Sequence, residues 1–247
     1  MDSLVNRRTI RKYAQKEISE DLLDEILTAG CRSSNTGNMQ VYSIIVTRDQ
    51  EMKNALAPLH FNQRMATEAP VMLTFCADFN RFNKWCSYRD AEPGHDNFLS
   101  FVTAAIDAVI AAQTVCVAAE SKGLGICYLG TVTYMAHKII DILKLPGGVV
   151  PVATITMGWP DENPVQPDRL PLEAIVHREV YHDYTRSDID RFYREKEKRS
   201  DSLKFIEENK RTTLAQVFTD VRYKKTDNVY FSGTLLQVLK DQGFMNQ

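Results

Sequence analysis

The run from Phe98 to Lys122 constrains this chain more than any other, because it is apolar on more than one face. A helix on the surface of a domain shows one apolar stripe against a polar back, so a helix here must be central or clamped between the core and a second subunit. The second arrangement is favoured. At 1.5 Å per residue the helix would be about 35 Å long, close to the width of a domain. Asp107 and Gln113 interrupt the segment and alanine is abundant in it, which argues against a membrane span. Gly123 and Gly125 then stop the helix, and Ile126 to Leu129 begins a strand.

Other elements follow from period and punctuation. Ser19 precedes Leu22, Leu23, Ile26 and Leu27 at helical spacing, so Glu20 to Ala29 is expected to be a capped amphipathic helix stopped by Gly30. Val41 to Thr47 and Val71 to Ala77 are short β-branched runs, expected as buried strands. Tyr134 to Leu143 gives a further helix, and Val149 to Met157 a strand. From Pro160 onward four prolines, Pro160, Pro164, Pro167 and Pro171, mark an irregular stretch, followed by a segment dense in both charge signs. Ser187 is expected to cap a helix to Arg199, and Ser232 one to Gln242. The division expected is a core over 1–180 and a C-terminal excursion over 181–247.

Charge narrows the partners. Thirty basic residues against 32 acidic ones give a formal net charge of -2, too little field to hold a nucleic acid or an anionic membrane. Small molecules are the expected partners. Five cysteines with no C-x-x-C pair are read as buried thiols of a reducing compartment, and no apolar leader follows Asp2, so the expected location is the cytoplasm.

Four runs carry the chemistry: Asn6 to Tyr13 (N-R-R-T-I-R-K-Y), Ser33 to Gln40 (S-S-N-T-G-N-M-Q), Gly123 to Gly130 (G-L-G-I-C-Y-L-G) and Met157 to Pro160 (M-G-W-P). Arg7, Arg8 and Arg11, with the Thr9 hydroxyl, can surround a dianionic phosphate. Alone, such a run is more often a solvated basic arm. Around Gly37, Asn35 and Asn38 offer donors and acceptors beside accessible backbone, although a polar loop has the same composition. Gly123 suits a helix stop. Gly130 is harder to explain that way, and a glycine there can present a bare backbone N–H to a ligand. The combination suits a flat, phosphorylated, hydrogen-bonding cofactor, and together the four runs suggest a flavin site. His177 and His182 read as structural, Asp161-Glu162 as a solvated loop, and no metal motif or nucleophile elbow is present.

These runs, with F-C-A-D-F-N-R (Phe75 to Arg81), L-K-L-P and D-R-L-P (Asp168 to Pro171), occur in an order that resembles the nitroreductase family, specifically its oxygen-insensitive NADPH nitroreductase and flavin reductase branch. The likeness covers Asn6 to about His177. It implies an α+β fold with a central, mainly antiparallel sheet flanked by helices, and an intertwined homodimer with a helical excursion. It also implies one FMN per subunit, NADPH or NADH as electron donor, and ping-pong hydride transfer through the flavin N5 to a small-molecule acceptor: a nitroaromatic, a quinone or free flavin. No side chain is expected to act as a catalytic acid or base.

Position by position, the resemblance assigns Arg7, Arg8, Thr9 and Arg11 to the phosphate. Asn35, Gly37 and Asn38 match a loop that reaches the cofactor from the partner subunit. Gln63 and the segment Tyr128, Leu129, Gly130 and Thr131 match the isoalloxazine contacts, and Arg169 a basic residue beside the ring or phosphate. Two departures are visible. Pro167 stands where the branch carries a lysine, which can lower the flavin potential by removing a positive charge near N1. Ser232 stands where an arginine would grip the NADPH 2′-phosphate, with Arg211, Arg222, Lys224 and Lys225 as possible substitutes. The altered lysine position and divergent tail motivate an alternative, an FMN-binding carrier or sensor with little or no turnover.

Overall fold

The computed structural model describes residues 2–247. Its centre is a sheet of four antiparallel strands in the order β1-β2-β4-β3: β1 (Tyr42–Thr47), β2 (Val71–Asp78), β3 (Gly125–Leu129) and β4 (Val149–Gly158). This is the α+β arrangement expected. Every residue of β2 is buried, because both faces of this inner strand are covered.

On one face Val71, Leu73, Phe75, Ile126, Ile155 and Met157 pack against the long helix, which spans Phe98–Ser121 with Asn97 as its cap. Its inward residues are small (Ala108, Ala111, Ala112 and Ala119), so the helix lies close to the sheet. Although long and apolar enough to cross a membrane by composition, it holds the core together through these alanines. On the other face Met72, Cys127 and Leu129 meet Leu56, Leu59, Met65 and Ile139, and Ile10 and Tyr13 of the N-terminal arm close that layer.

Several local expectations change. The capped helix runs Glu20–Cys31, past Gly30, whose role is approach rather than termination: a Cβ there would meet Val115 Cγ2 at 2.2 Å. Cys31 is exposed, whereas the other four thiols are buried and all five are free. Gly123 does end the long helix, at φ +80°, with Leu124 N–H returning to the Ala119 carbonyl at 3.0 Å. Gly125, by contrast, is a strand residue that ends nothing. Its Cβ would lie 2.5 Å from Ile10 Cβ.

The chain divides into two compact units, 1–165 with 231–247, and 166–230. The boundary expected at 180 falls inside the second unit. Within that unit a helix Arg186–Lys198 is capped by Thr185 rather than Ser187, because Thr185 and Asp188 form a reciprocal capping box. Ser232 caps nothing. It lies inside a helix spanning Lys225–Asp241.

Candidate functional site

The arginine arm is bound to the edge of the sheet rather than free in solvent. Ile10 N–H donates to the Ile126 carbonyl at 3.1 Å, Ala14 N–H to Trp159 O at 2.9 Å, and Tyr13 bridges to Pro160 beyond β4. Glu162, expected in a solvated loop, accepts the N–H groups of Arg11 (2.5 Å) and Lys12 (3.1 Å). It fixes the turn of the arm.

The three guanidinium groups are not equivalent. Arg7 Nε lies 3.0 Å from Glu120 Oε1, a half-buried pair at the last turn of the long helix. Burial raises the Glu120 pKa and the Arg7 charge pulls it back. Arg8 Nη1 donates to Asn163 Oδ1 (2.5 Å) and to the Pro164 carbonyl (3.3 Å), both neutral acceptors, and Arg11 is exposed. Among the described residues neither Arg8 nor Arg11 spends its guanidinium on a carboxylate. Thr9 is half-buried between them in sequence.

At the end of β3 the side chains and the backbone part company. Tyr128 packs with the long-helix layer, its hydroxyl 3.4 Å from Gln113 Oε1, and burial raises its pKa. Leu129 is buried in the opposite layer. Leu129 is closed off and Tyr128 is partly buried, so the backbone is the main surface this segment can offer a ligand. Gly130 marks the place. Its φ is not positive and a Cβ would meet nothing within 4 Å, so neither left-handed backbone nor crowding accounts for it. Open space beside a bare peptide fits a flat ligand resting on the chain.

Next to it Thr131 is buried, its hydroxyl 2.9 Å from Nδ1 of His60. Gln63 hangs from the same turn as His60, its Nε2 donating to the His60 carbonyl at 3.1 Å. A line of contacts therefore runs from Gln63 through His60 to Thr131, the chain neighbour of Gly130. Burial holds His60 neutral, its pKa lowered to about 4.

The loop over 33–40 lies elsewhere. Gly37, Asn38 and Gln40 all have positive φ, and the Asn35 side chain accepts Gln40 N–H at 3.1 Å. The loop is held by Asp107, 1% exposed in the middle of the long helix, whose carboxylate accepts Thr36 N–H (3.0 and 3.1 Å) and the Thr36 hydroxyl (3.1 Å). Asp107 and Glu120 are separated by 13 positions of one helix, about 20 Å. One copy of the chain thus holds Asn35, Gly37 and Asn38 far from Arg7. The same helix exposes Leu99 and Ile106 before Asp107 and Val109 and Ile110 just after it.

Arg169 belongs to the second unit and is exposed there, its Nη1 donating to the Asp168 carbonyl at 2.8 Å, while Asp168 pairs with Lys196. Of the possible 2′-phosphate ligands, Arg211 pairs with Asp220 at 3.3 Å and Arg222 lies over the Phe205 ring.

Residues 4–159, most of the core, match the profile of the nitroreductase family. The chain belongs to the nitroreductase family. Among curated relatives of the chain, the FMN reductase [NAD(P)H] of Bacillus subtilis is 35% identical over 181 residues, 72% of this chain and 73% of that protein. The oxygen-insensitive NADPH nitroreductase of Salmonella typhimurium is 33% identical over 181 residues, 73% and 74% of the two chains. A crystal structure from Bacteroides fragilis is 57% identical, covers both chains completely and superposes with a TM-score of 0.99.

Sequence reasoning missed the residues that hold this site in place. In the sequence Asp107 is a polar break in an apolar run, Glu120 lies near the end of the same helical segment, and His60 falls in no motif. The anchoring carboxylates carry a faint signal, since an acid inside an alanine-rich helix needs a partner. Nothing local marks His60.

Proposed function

We propose that this nitroreductase is an FMN-dependent NAD(P)H oxidoreductase working by ping-pong hydride transfer to nitroaromatics, quinones or free flavin. The observation that carries this reading is Gly130: a bare backbone position beside open space, between the buried Leu129 and Thr131, with Thr131 tied to the Gln63 turn through His60. The residues present fit FMN. Arg8 and Arg11, with Thr9, would hold the phosphate, while Arg7 gives part of its charge to Glu120. Gln63 and the Gly130 backbone would meet the polar edge of the ring. When bound, FMN supplies hydride acceptance at N5 and hydride donation to the acceptor.

The chain's own contribution is position and field. Tyr128 and Leu129, anchored in opposite layers, fix the height of the Gly130 peptide. A preset donor needs no reorganisation as charge develops on the ring, which is where its rate advantage lies. We place no proton-transfer step on a side chain.

A homodimer is part of the proposal. The loop of Asn35, Gly37 and Asn38 is anchored about 20 Å along the helix from the partner of Arg7, and the helix exposes an apolar face of Leu99, Ile106, Val109 and Ile110 in one copy. A second copy covers that face and brings its loop to the arm. Five free thiols fit the cytoplasm. The carrier or sensor alternative draws nothing from the named relatives, which are reductases.

The test is the anaerobic visible spectrum of the FMN-loaded protein before and after adding NADPH or NADH. Bleaching of the flavin bands is expected, and the faster donor shows whether the tail still selects for the 2′-phosphate. Bound flavin that neither donor reduces would overturn the enzyme reading.

A further inference from the structure

Two turns carry the groups assigned to the flavin ring, and they come from distant parts of the sequence. The first, 57–63, ends in Gln63. The second, 130–135, begins with Gly130 and Thr131. The first turn is closed by Phe61 N–H to Pro58 O (3.1 Å), Asn62 N–H to Ala57 O (2.9 Å) and Gln63 N–H to His60 O (3.2 Å). It needs this closure, because Phe61 and Asn62 both stand in the left-handed region, at φ 56° and 52°. Residues with a Cβ persist there only where their surroundings over-determine them. The second turn is closed on the Thr131 carbonyl, which accepts Tyr134 N–H (3.1 Å) and Met135 N–H (3.2 Å).

His60 belongs to both. Its carbonyl receives the Gln63 side chain and backbone, and its ring, 1% exposed, meets the Thr131 hydroxyl at 2.9 Å. A second, exposed contact joins the same turns, since the Phe61 and Tyr134 rings stack with centroids 6.4 Å apart. Both links span the gap across which Gln63 and Gly130 would have to meet a single rigid ring.

We propose that His60 is a positioning residue of the flavin site: its Nδ1 ties the Gln63 turn to the Gly130–Thr131 turn and sets the distance between the donors on the ring edge. The inference rests on the FMN reading above. The imidazole is neutral because it is buried, so it serves as a hydrogen-bonding spacer without placing a charge beside the ring. A charged spacer there would change the electrostatics of the site. A neutral one changes only geometry.

The two ring nitrogens give a discriminating experiment. Asparagine places its terminal atoms where Nδ1 lies, whereas glutamine reaches the position of Nε2, so H60N can keep the bond to Thr131 and H60Q cannot. FMN is titrated into wild type, H60N, H60Q and T131V, with Tm recorded for each, and the reduction potential of the bound flavin is measured by dye equilibration. H60Q and T131V should each weaken FMN binding about tenfold, the size of one lost buried hydrogen bond, and shift the potential. The double variant H60Q/T131V should be no worse than either single one, because both break the same bond. H60N should stay within about threefold of wild type. Wild-type affinity and potential in T131V and H60Q, or equal damage in H60N and H60Q, would overturn the positioning role. Because Thr131 is itself assigned to the ring, a loss in T131V supports the role only with a matching loss in H60Q and no further loss in the double variant, whereas unchanged FMN affinity in T131V overturns it even if H60Q does not fold. A wild type that binds no FMN would overturn the cofactor reading itself, and is told apart because it fails before any substitution.

Discussion

Asp107 and Glu120 are two carboxylates on one helix, and each anchors a different piece of the proposed cofactor site. Asp107 is fully buried and is satisfied by neutral donors, the N–H and hydroxyl of Thr36. Glu120 lies at the helix end and faces a charge, the Arg7 guanidinium at 3.0 Å. The first fixes a loop and contributes nothing to a ligand. The second competes with a ligand for its cation. The helix therefore holds the two anchors about 20 Å apart, and the proposed sharing of the site between two subunits rests on that spacing.

The largest effect expected is at Asp107. Asp107→Ala strands the Thr36 N–H and hydroxyl and should lower stability by roughly 4 kcal/mol, the loss of two charge-assisted hydrogen bonds. Chemical denaturation checks it, and a loss below 1 kcal/mol would break the contrast with Glu120.

His60 supplies a junction of a third kind, held by burial with no charge opposite. Its folded pKa of about 4 lies below the ordinary 6.5, so between these values the unfolded state binds more protons than the folded one. Stability from His60 is fully present above about pH 6.5 and falls as pH drops toward 4, by roughly 3 kcal/mol in all. In H60N that part of the pH dependence should vanish. An unchanged slope would show that other groups cause it.

Two glycines separate packing from ligand approach. Gly125→Ala should cost about 2 kcal/mol, since its Cβ would sit 2.5 Å from Ile10 Cβ and push the arm from β3. Gly130→Ala should leave Tm unchanged, because its Cβ meets nothing, yet slow flavin reduction by NAD(P)H. Stopped-flow reduction and a thermal melt together decide whether Gly130 is there for a ligand.

The smallest effect is at Glu120. Glutamine keeps the shape of Glu120 and an acceptor for Arg7 Nε, so Glu120→Gln should lower stability by about 1 kcal/mol. It should tighten FMN binding up to about threefold by releasing Arg7 for the phosphate. Weaker binding would mean that Glu120 orients Arg7 rather than competing with the ligand.

The sheet was legible because its strands are short, β-branched and bounded by turn residues, and the long helix because its alanines and multi-sided apolarity leave few other structures open. Gly30, Ser187 and Ser232 show where local signals mislead. A glycine near a helix end looks like a stop until its helix is found against Val115, and a serine looks like a cap until Thr185 two positions earlier completes a box with Asp188. The site divided in the same way. Residues that would touch the cofactor lie in compact motifs, Arg7 to Arg11 and Tyr128 to Thr131, and could be named from sequence. Asp107, Glu120, Glu162 and His60 act through partners 71, 113, 151 and 71 positions away, and no window of sequence contains both ends of such a contact.

Subunit mixing tests the central claim most directly. One tagged chain carries Arg8→Ala and a differently tagged chain carries Asn35→Ala, and the hybrid dimer is purified through both tags. If the arm of one copy and the loop of the other form each site, the hybrid has one site with both defects and one with neither. It should hold one tightly bound FMN per two chains, while each parent variant binds weakly. A hybrid that binds no better than its parents would place arm and loop on the same subunit and contradict the shared site.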